Sequence, residues 1–207
     1  MLYLFDIETI PNDRAKAYFA AKVYEPAANL KDPEKIAANI AEKRAKDAEK
    51  AALHWWTGKV VCISVRTVDG KDSGTFSGLD EVQILRAFFD AVGSNHVIGK
   101  SGDYFDTPFL VGRALANDIG VPGFLRPHRP IQDVDHIFSF SSQCDQRSNL
   151  ANYAFGMGIE GKNGHGSEVA ALVEAGKWDE LRAYCEQDVA IIAEMLRRWN
   201  KVYERSN

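Results

Sequence analysis

Leu2-Tyr-Leu-Phe-Asp-Ile-Glu-Thr9, at the head of the chain, alternates as a strand does. Leu2, Leu4, Asp6 and Glu8 fall on one face, and Tyr3, Phe5 and Ile7 on the other. One face therefore turns from apolar to acidic, with two carboxylates roughly 7 Å apart along the strand. Pro11-Asn12-Asp13 ends the run. Paired carboxylates at the end of a largely buried strand repel one another and lose hydration. A hard cation such as Mg²⁺ or Mn²⁺ compensates both losses through oxygen ligands. The plain alternative is that Asp6 and Glu8 cap a strand at the surface, and the stretch alone does not decide between the two.

The rest of the composition sets bounds. A chain of 207 residues with 45% hydrophobic content fits one globular domain over 1–207. No run approaches the ~20 apolar residues of a membrane span. The acidic pair interrupts the N-terminus too early for a signal peptide. Cys62, Cys144 and Cys185 are far apart and odd in number, which points to a reducing cytoplasm and away from a disulfide framework. A net charge of −4 gives no global attraction to a polyanion, so nucleic-acid binding would be local or metal-mediated.

Residues 13–53 read as a helical excursion after the first strand. Asp32 is an N-cap followed by Pro33 at the first helical position. Ala37, Ala41, Ala45, Ala48 and Ala52 form a small-residue stripe, opposite a face of mixed charge. The excursion is expected to lie over the domain, with a substrate-touching arm as the alternative. Residues 58–68 read as a second strand, and Asp69-Gly70 as a turn into a third. Asp80 caps a helix that buries Val82, Ile84, Leu85, Phe88, Phe89 and Val92, and Asn95 to Gly99 forms a short strand. This order predicts a mixed α/β sheet in which the later strand runs parallel to the first.

Two further acidic positions stand out. Asp106 opens a helix before Thr107-Pro108, where an N-cap role is the simpler reading, although one oxygen can cap while the other binds metal. On the last helix, expected from an Asp179 N-cap, Leu181, Cys185, Ile192, Met195, Trp199 and Val202 keep helical spacing. Asp188 completes that stripe as its only charge. An unpaired buried carboxylate costs several kcal/mol, so Asp188 needs a partner. Tyr184 lies one turn earlier on the same side. A core ion pair for Asp188 and a core role for Tyr184 are the structural alternatives. A short strand near residues 131–134 ends in Asp133 and Asp135, and a glycine-rich loop from Gly156 to Gly166 carries Lys162 and His165.

Four carboxylates from three separated segments can converge on two divalent ions, as phosphoryl-transfer sites require. With these residues in view, the chain resembles the DEDD superfamily of 3′–5′ exonucleases. The first motif is Phe5-Asp-Ile-Glu-Thr9; the second spans Gly99 to Pro108 and contains Phe105-Asp106; the third is Tyr184-Cys-Glu-Gln-Asp188, the form of the tyrosine subclass. Within the superfamily it is most similar to the predicted exonucleases related to the proofreading domain of family B DNA polymerases. Ser101 departs from the asparagine that many relatives carry in the second motif.

The resemblance implies an RNase H-like fold, a mixed central sheet flanked by helices. It implies two Mg²⁺ or Mn²⁺ ions held by Asp6, Glu8, Asp106 and Asp188. One ion would lower the pKa of the attacking water, which Tyr184 would orient. The backbone at Ile7 and Thr9, the Phe105 ring, Ser101 and Lys162 become candidates to hold the terminal nucleotide. The implied partner is nucleic acid, DNA ahead of RNA, with any proofreading done in trans beside a replication or repair protein. RNA trimming and a non-catalytic nucleic-acid-binding module remain the rival readings. An unrelated metal phosphoesterase would need histidine ligands, and none of the five histidines sits beside the acidic motifs.

Overall fold

The computed structural model describes residues 1–100, 102–125, 132–135, 146–161 and 166–204. Ser101, Lys162, His165, Cys144 and residues 126–131 lie outside them.

Strand β1 (Leu2–Pro11) runs through the middle of a five-stranded sheet. It pairs antiparallel with β2 (Gly58–Thr67), which pairs antiparallel with β3 (Ser73–Ser77). On its other side it pairs parallel with β4 (His96–Gly99), and β4 with β5 (Gln132–Asp133), giving the order β3-β2-β1-β4-β5. The expected meander and parallel return are both present. The third strand, which the sequence suggests begins at Lys71, starts at Ser73 because the turn extends through Lys71 and Asp72, with Gly70 at φ +71°.

Period-two alternation in β1 sorts its side chains between two layers. Tyr3, Phe5 and Ile7 enter one core with α3 (Glu81–Val92) and α4 (Thr107–Ala116). Leu4 enters the other, against α5 (Leu150–Met157) and the long α7 (Trp178–Glu204). A shorter helix, α6 (Val169–Glu174), packs on α7 beside β1. Helix α7 begins one residue before the expected Asp179 cap.

A buried ion pair ties the first layer together. Glu81 Oε1 accepts from Val60 N–H at 2.7 Å and Arg113 Nε at 2.9 Å. Its Oε2 accepts from Arg113 Nη2 at 2.6 Å and Asn117 Nδ2 at 3.0 Å. One carboxylate thus joins β2, α3 and α4, and all its charge is answered locally.

The excursion contains α1 (Ala15–Ala21) and α2 (Pro33–Glu49). Asp32 caps α2 as expected, accepting from Glu34 N–H at 2.9 Å. The alanine stripe does not pack: Ala37, Ala41, Ala45 and Ala48 are exposed. The half-buried positions are instead Ile36, Asn39, Ile40, Lys43 and Asp47, because isoleucine has more surface to remove from water than alanine. Helix α2 buries no residue fully, while α1 is anchored through Ala15 and Phe19 against Ala51. Among the described residues, no helix is long and apolar enough to cross a membrane.

Candidate active site at the carboxyl ends of the parallel strands

Strands β1, β4 and β5 are parallel, so their carboxyl ends open on one side of the sheet, where α/β proteins place their chemistry. The β1–β4 register runs only from Leu2↔His96 to Leu4↔Ile98. Past Leu4, β1 continues beside β2 alone in the described ladders, and its acidic residues Asp6 and Glu8 lie in this stretch.

Asp6 and Glu8 stand on the β1 face turned toward α7, as the alternation predicts. Their ligand oxygens and the Cys185 sulfur all lie within 4.8 Å of one another. Glu8 is 8% exposed, which removes the surface-cap reading of that residue. The β1–β2 register shifts between Glu8 and Thr9, where β2 carries the extra residue, Val61. On α7, Cys185 Sγ lies 3.5 Å from Asp6 O and 3.8 Å from Asp6 Oδ2. Burial pushes the Cys185 thiol well up, helped by Cys62, Asp6 and Glu8, so it stays protonated and donates. Sequence reading placed Cys185 in the core stripe and missed this contact; only the pairing of β1 with α7 reveals it.

Asp188 and Tyr184, both on α7, are buried at 4% and 7% exposure. Tyr184 packs among Val61, Cys62, Val169, Leu181 and Cys185. Its hydroxyl lies beside Gly166, 4.0 Å from where a Cβ there would stand.

Asp106 departs from its expected cap role. The segment Gly102–Asp106 forms a π-helical turn that runs into α4, and Asp106 has helical φ and ψ. Its side chain makes no capping hydrogen bond. Single π turns recur at functional sites, since the wider turn re-aims one side chain. Here it carries Asp106 over the end of β4, with Oδ2 3.0 Å from a Cβ built on Gly99. Asp106 is buried, and Oδ2 has no hydrogen-bond partner among the described residues. Burial drives its carboxyl well above the usual carboxylate range, and the charges of Asp6, Asp133 and Asp188 push it further; Lys100 opposes them. The fold thus brings Asp106, Asp6 and Asp188 into one electrostatic neighbourhood.

That donor set fits a divalent cation. Clustered buried carboxylate oxygens are hard ligands, and an orphaned buried oxygen is costly without a cation to meet it. Among the described residues, Asp6, Glu8 and Cys185 bring their ligand atoms to within 4.8 Å of one another, and Asp106 offers a buried oxygen with no hydrogen-bond partner.

The candidate substrate contacts are placed unevenly. Phe105 is half-buried beside Phe109, ring centroids 5.4 Å apart. The Ile7 side chain is in the core, and the Thr9 hydroxyl donates to Ala52 O at 2.7 Å, which leaves the backbone of β1 as what these two offer. Ser101 and Lys162 lie outside the described residues.

A family model described as a predicted 3′–5′ exonuclease related to the exonuclease domain of PolB matches residues 52–192. The match takes in Asp106, Tyr184 and Asp188 and begins after Asp6 and Glu8. Among solved structures, the family B DNA polymerase from the hyperthermophilic archaeon Pyrobaculum calidifontis is similar over 96% of this chain, with a TM-score of 0.58 and 18% identity. The chain spans 24% of that polymerase's length. The likeness shows an RNase H-like fold. No curated protein matches the sequence.

Proposed function

Because the chain belongs to the family of predicted 3′–5′ exonucleases related to the exonuclease domain of PolB, we propose that it is a single-domain, metal-dependent nuclease. It removes nucleotides from free 3′ ends of DNA, single-stranded or frayed, releasing nucleoside 5′-monophosphates. What supports this reading is the Asp6–Glu8 pair on β1, the buried Asp106 with its unpartnered oxygen on the π turn before α4, and the buried Asp188 and Tyr184 one helical turn apart on α7.

Asp6, Glu8, Asp106 and Asp188 would hold two divalent ions, Mg²⁺ or Mn²⁺. When bound, such ions neutralise charge developing on the phosphate and make water a competent nucleophile near neutral pH. The protein supplies the remainder. Tyr184 hydrogen-bonds the attacking water and aims it at the terminal phosphorus. The 3′ oxygen of the preceding nucleotide leaves with the bonding pair and takes a proton from solvent, which leaves a shortened strand with a 3′ hydroxyl. Phe105 offers a π-face to the terminal base, a contact tolerant of base identity. The β1 backbone near Ile7 and Thr9 faces the same nucleotide. Ser101 and Lys162 are proposed as further contacts on sequence grounds.

The test is one matrix of substrates. Purified protein is incubated with single- and double-stranded DNA and RNA, blocked at either end, in Mg²⁺, Mn²⁺ or EDTA. The proposal expects stepwise loss from an open 3′ end, abolished by a 3′ block or EDTA, and faster on DNA. Asp6→Asn, Glu8→Gln, Asp106→Asn and Asp188→Asn should each nearly abolish it. Cleavage in EDTA, or cutting of a closed circle, overturns it; faster loss of matched RNA replaces DNA by RNA as substrate.

A further inference from the structure

Two tryptophans stand at the surface where the excursion rejoins the sheet, and none of the roles above uses them. Trp55 and Trp56, just before β2, are 40% and 48% exposed. Burying a ring of this size is worth so much that leaving two side by side in water marks an interaction surface.

The pair is held in place. A Cβ built on Gly112 of α4 would stand 2.4 Å from Trp55 Cγ and Cδ2, so the indole fills the space that any larger residue there would need. Asn12, just past β1, fixes the turn behind the rings. Its Nδ2 donates to Trp56 O and to Gly58 O, both at 3.1 Å, and its N–H donates to Thr57 O at 2.8 Å. The two indoles meet edge to face at 5.8 Å, and His54 stacks on Trp56 at 4.6 Å with 9° between the ring planes. Rings fixed in this way lose little further freedom when a flat ligand settles on them.

The platform is continuous with the candidate active site. The Thr9 hydroxyl reaches Ala52 O, and a Cβ on Gly58 would meet Phe109 Cζ at 2.8 Å, the ring beside Phe105. Gly112 follows Phe105 by seven residues, about 10 Å along a helix. Asn12 follows Glu8 by four, about 13 Å along a strand. At ~3.4 Å per stacked nucleotide, a strand whose last base meets Phe105 comes level with the tryptophans three or four nucleotides back.

The charges nearby do not repel a phosphate backbone. A recess of about 450 Å³ lies between the tryptophans, Leu79 and Arg14. Of its acidic residues, Glu81 is paired with Arg113, Asp80 accepts from Gln83 N–H at the start of α3, and Asp13 lies 3.4 Å from Lys59 Nζ. Three acidic and three basic side chains line the recess, so stacking and not charge is what it offers a ligand.

We propose that Trp55 and Trp56 form a stacking platform for the single-stranded segment three or four nucleotides behind the 3′ end. The partner is single-stranded nucleic acid, accepted without regard to base because every base has a π-face. This assignment rests on the exonuclease reading above and deepens it.

The test compares 5′-labelled oligothymidylates of two and eight nucleotides, bound to the full chain in Ca²⁺ and followed by anisotropy. The dinucleotide is too short to reach the platform. Wild type should bind the octamer more tightly than the dinucleotide. In Trp55→Ala and in Trp56→Ala that advantage should shrink about 5–150-fold, and the loss should be the same at about 50 and 200 mM salt, since salt weakens phosphate contacts. Octamer binding within twofold of wild type in both variants overturns the assignment. So does an equal loss on the dinucleotide, the pattern of a structural residue, or a loss that disappears at the higher salt, the pattern of a charge contact. Should Trp55→Ala, which empties the space beside Gly112, not fold, Trp56→Ala carries the test alone. Wild-type protein that shortens no oligonucleotide in Mg²⁺ or Mn²⁺ overturns the exonuclease reading itself, a separate result.

Discussion

Gly99→Ala adds one methyl group beneath Asp106 and changes no charge. The added Cβ would stand 3.0 Å from Asp106 Oδ2, 3.1 Å from Phe5 Cε1 and 3.4 Å from Gly102 Cα. Ordinary contact begins near 3.5 Å, so something must yield by about 0.5 Å. Phe5 is fully buried and stacked on Phe88 at 5.8 Å, and Gly102 offers only backbone. The Asp106 side chain is the part able to give. Overpacking of this kind costs about 1–3 kcal/mol, or a fall of roughly 2–12 °C in melting temperature at this chain length. A 1 Å misplacement in a catalytic site can cost ~10² in rate, so half that displacement should cost about tenfold. Single-turnover cleavage of a 5′-labelled single-stranded oligonucleotide at saturating Mg²⁺ reads this directly. Gly102→Ala is the matched control, since its Cβ would meet nothing nearer than Phe5 Cε1 at 4.0 Å, and it should cleave within twofold of wild type. If Gly99→Ala also cleaves within twofold while its melting point falls, Asp106 is not held where the chemistry needs it, and the reasoning fails.

Tyr184→Phe keeps the ring among Val61, Cys62, Val169, Leu181 and Cys185. Stability should therefore change by no more than about 1 kcal/mol. The single-turnover rate should fall roughly 10–10³-fold, with oligonucleotide affinity in Ca²⁺ unchanged; a rate within twofold of wild type removes the hydroxyl from the mechanism. Asp106→Asn should stabilise the metal-free protein as pH rises. In the wild type, burial and then Asp6, Asp133 and Asp188 hold the carboxyl above its usual 3.8. The native state thus keeps a proton that the unfolded chain has lost, and stability falls as pH rises through that window. Melts in EDTA from about pH 4 to 8 should show the gap between variant and wild type widening; a constant gap counts against the electrostatic account. Glu81→Ala strands the guanidinium of Arg113, which is largely buried. It should cost about 3–5 kcal/mol in urea unfolding yet leave the rate of the folded enzyme near wild type in the cold, and a rate loss larger than the stability loss would tie the pair to the site.

Much of the site was readable because strand and helix periods transmit side-chain direction faithfully. The alternation of Leu4, Asp6 and Glu8 against Phe5 and Ile7 correctly assigned the two faces of β1. The one charge on the α7 stripe marked Asp188 as turned inward. Other features escaped for physical reasons. Asp before Thr-Pro has the composition of an N-cap, and nothing local shows that a π turn has inserted an extra residue and spent the side chain elsewhere. The alanine stripe of α2 has the right period for a packed face, but packing follows area, and Ile36 and Ile40 outweigh it. Asp133 could be seen at the end of a short strand, yet its approach to Asp106 depends on a two-residue ladder with β4. Such non-local pairing leaves no trace in either segment alone.

The connection between β1 and β2 has a consequence for engineering. These strands are direct antiparallel neighbours, yet residues 12–57 intervene where a tight turn would suffice. Lengthening a loop costs little: each doubling adds only about 0.6 kcal/mol of closure entropy. Within the excursion, Lys22 just after α1 and Asp47 near the end of α2 meet through a salt bridge. Everything between them can then be regarded as a cassette, removable or exchangeable without disturbing the register of the central strand. The same doorway would accept a foreign segment, a tag or a binding peptide, mounted on a nuclease core that need not be redesigned to carry it.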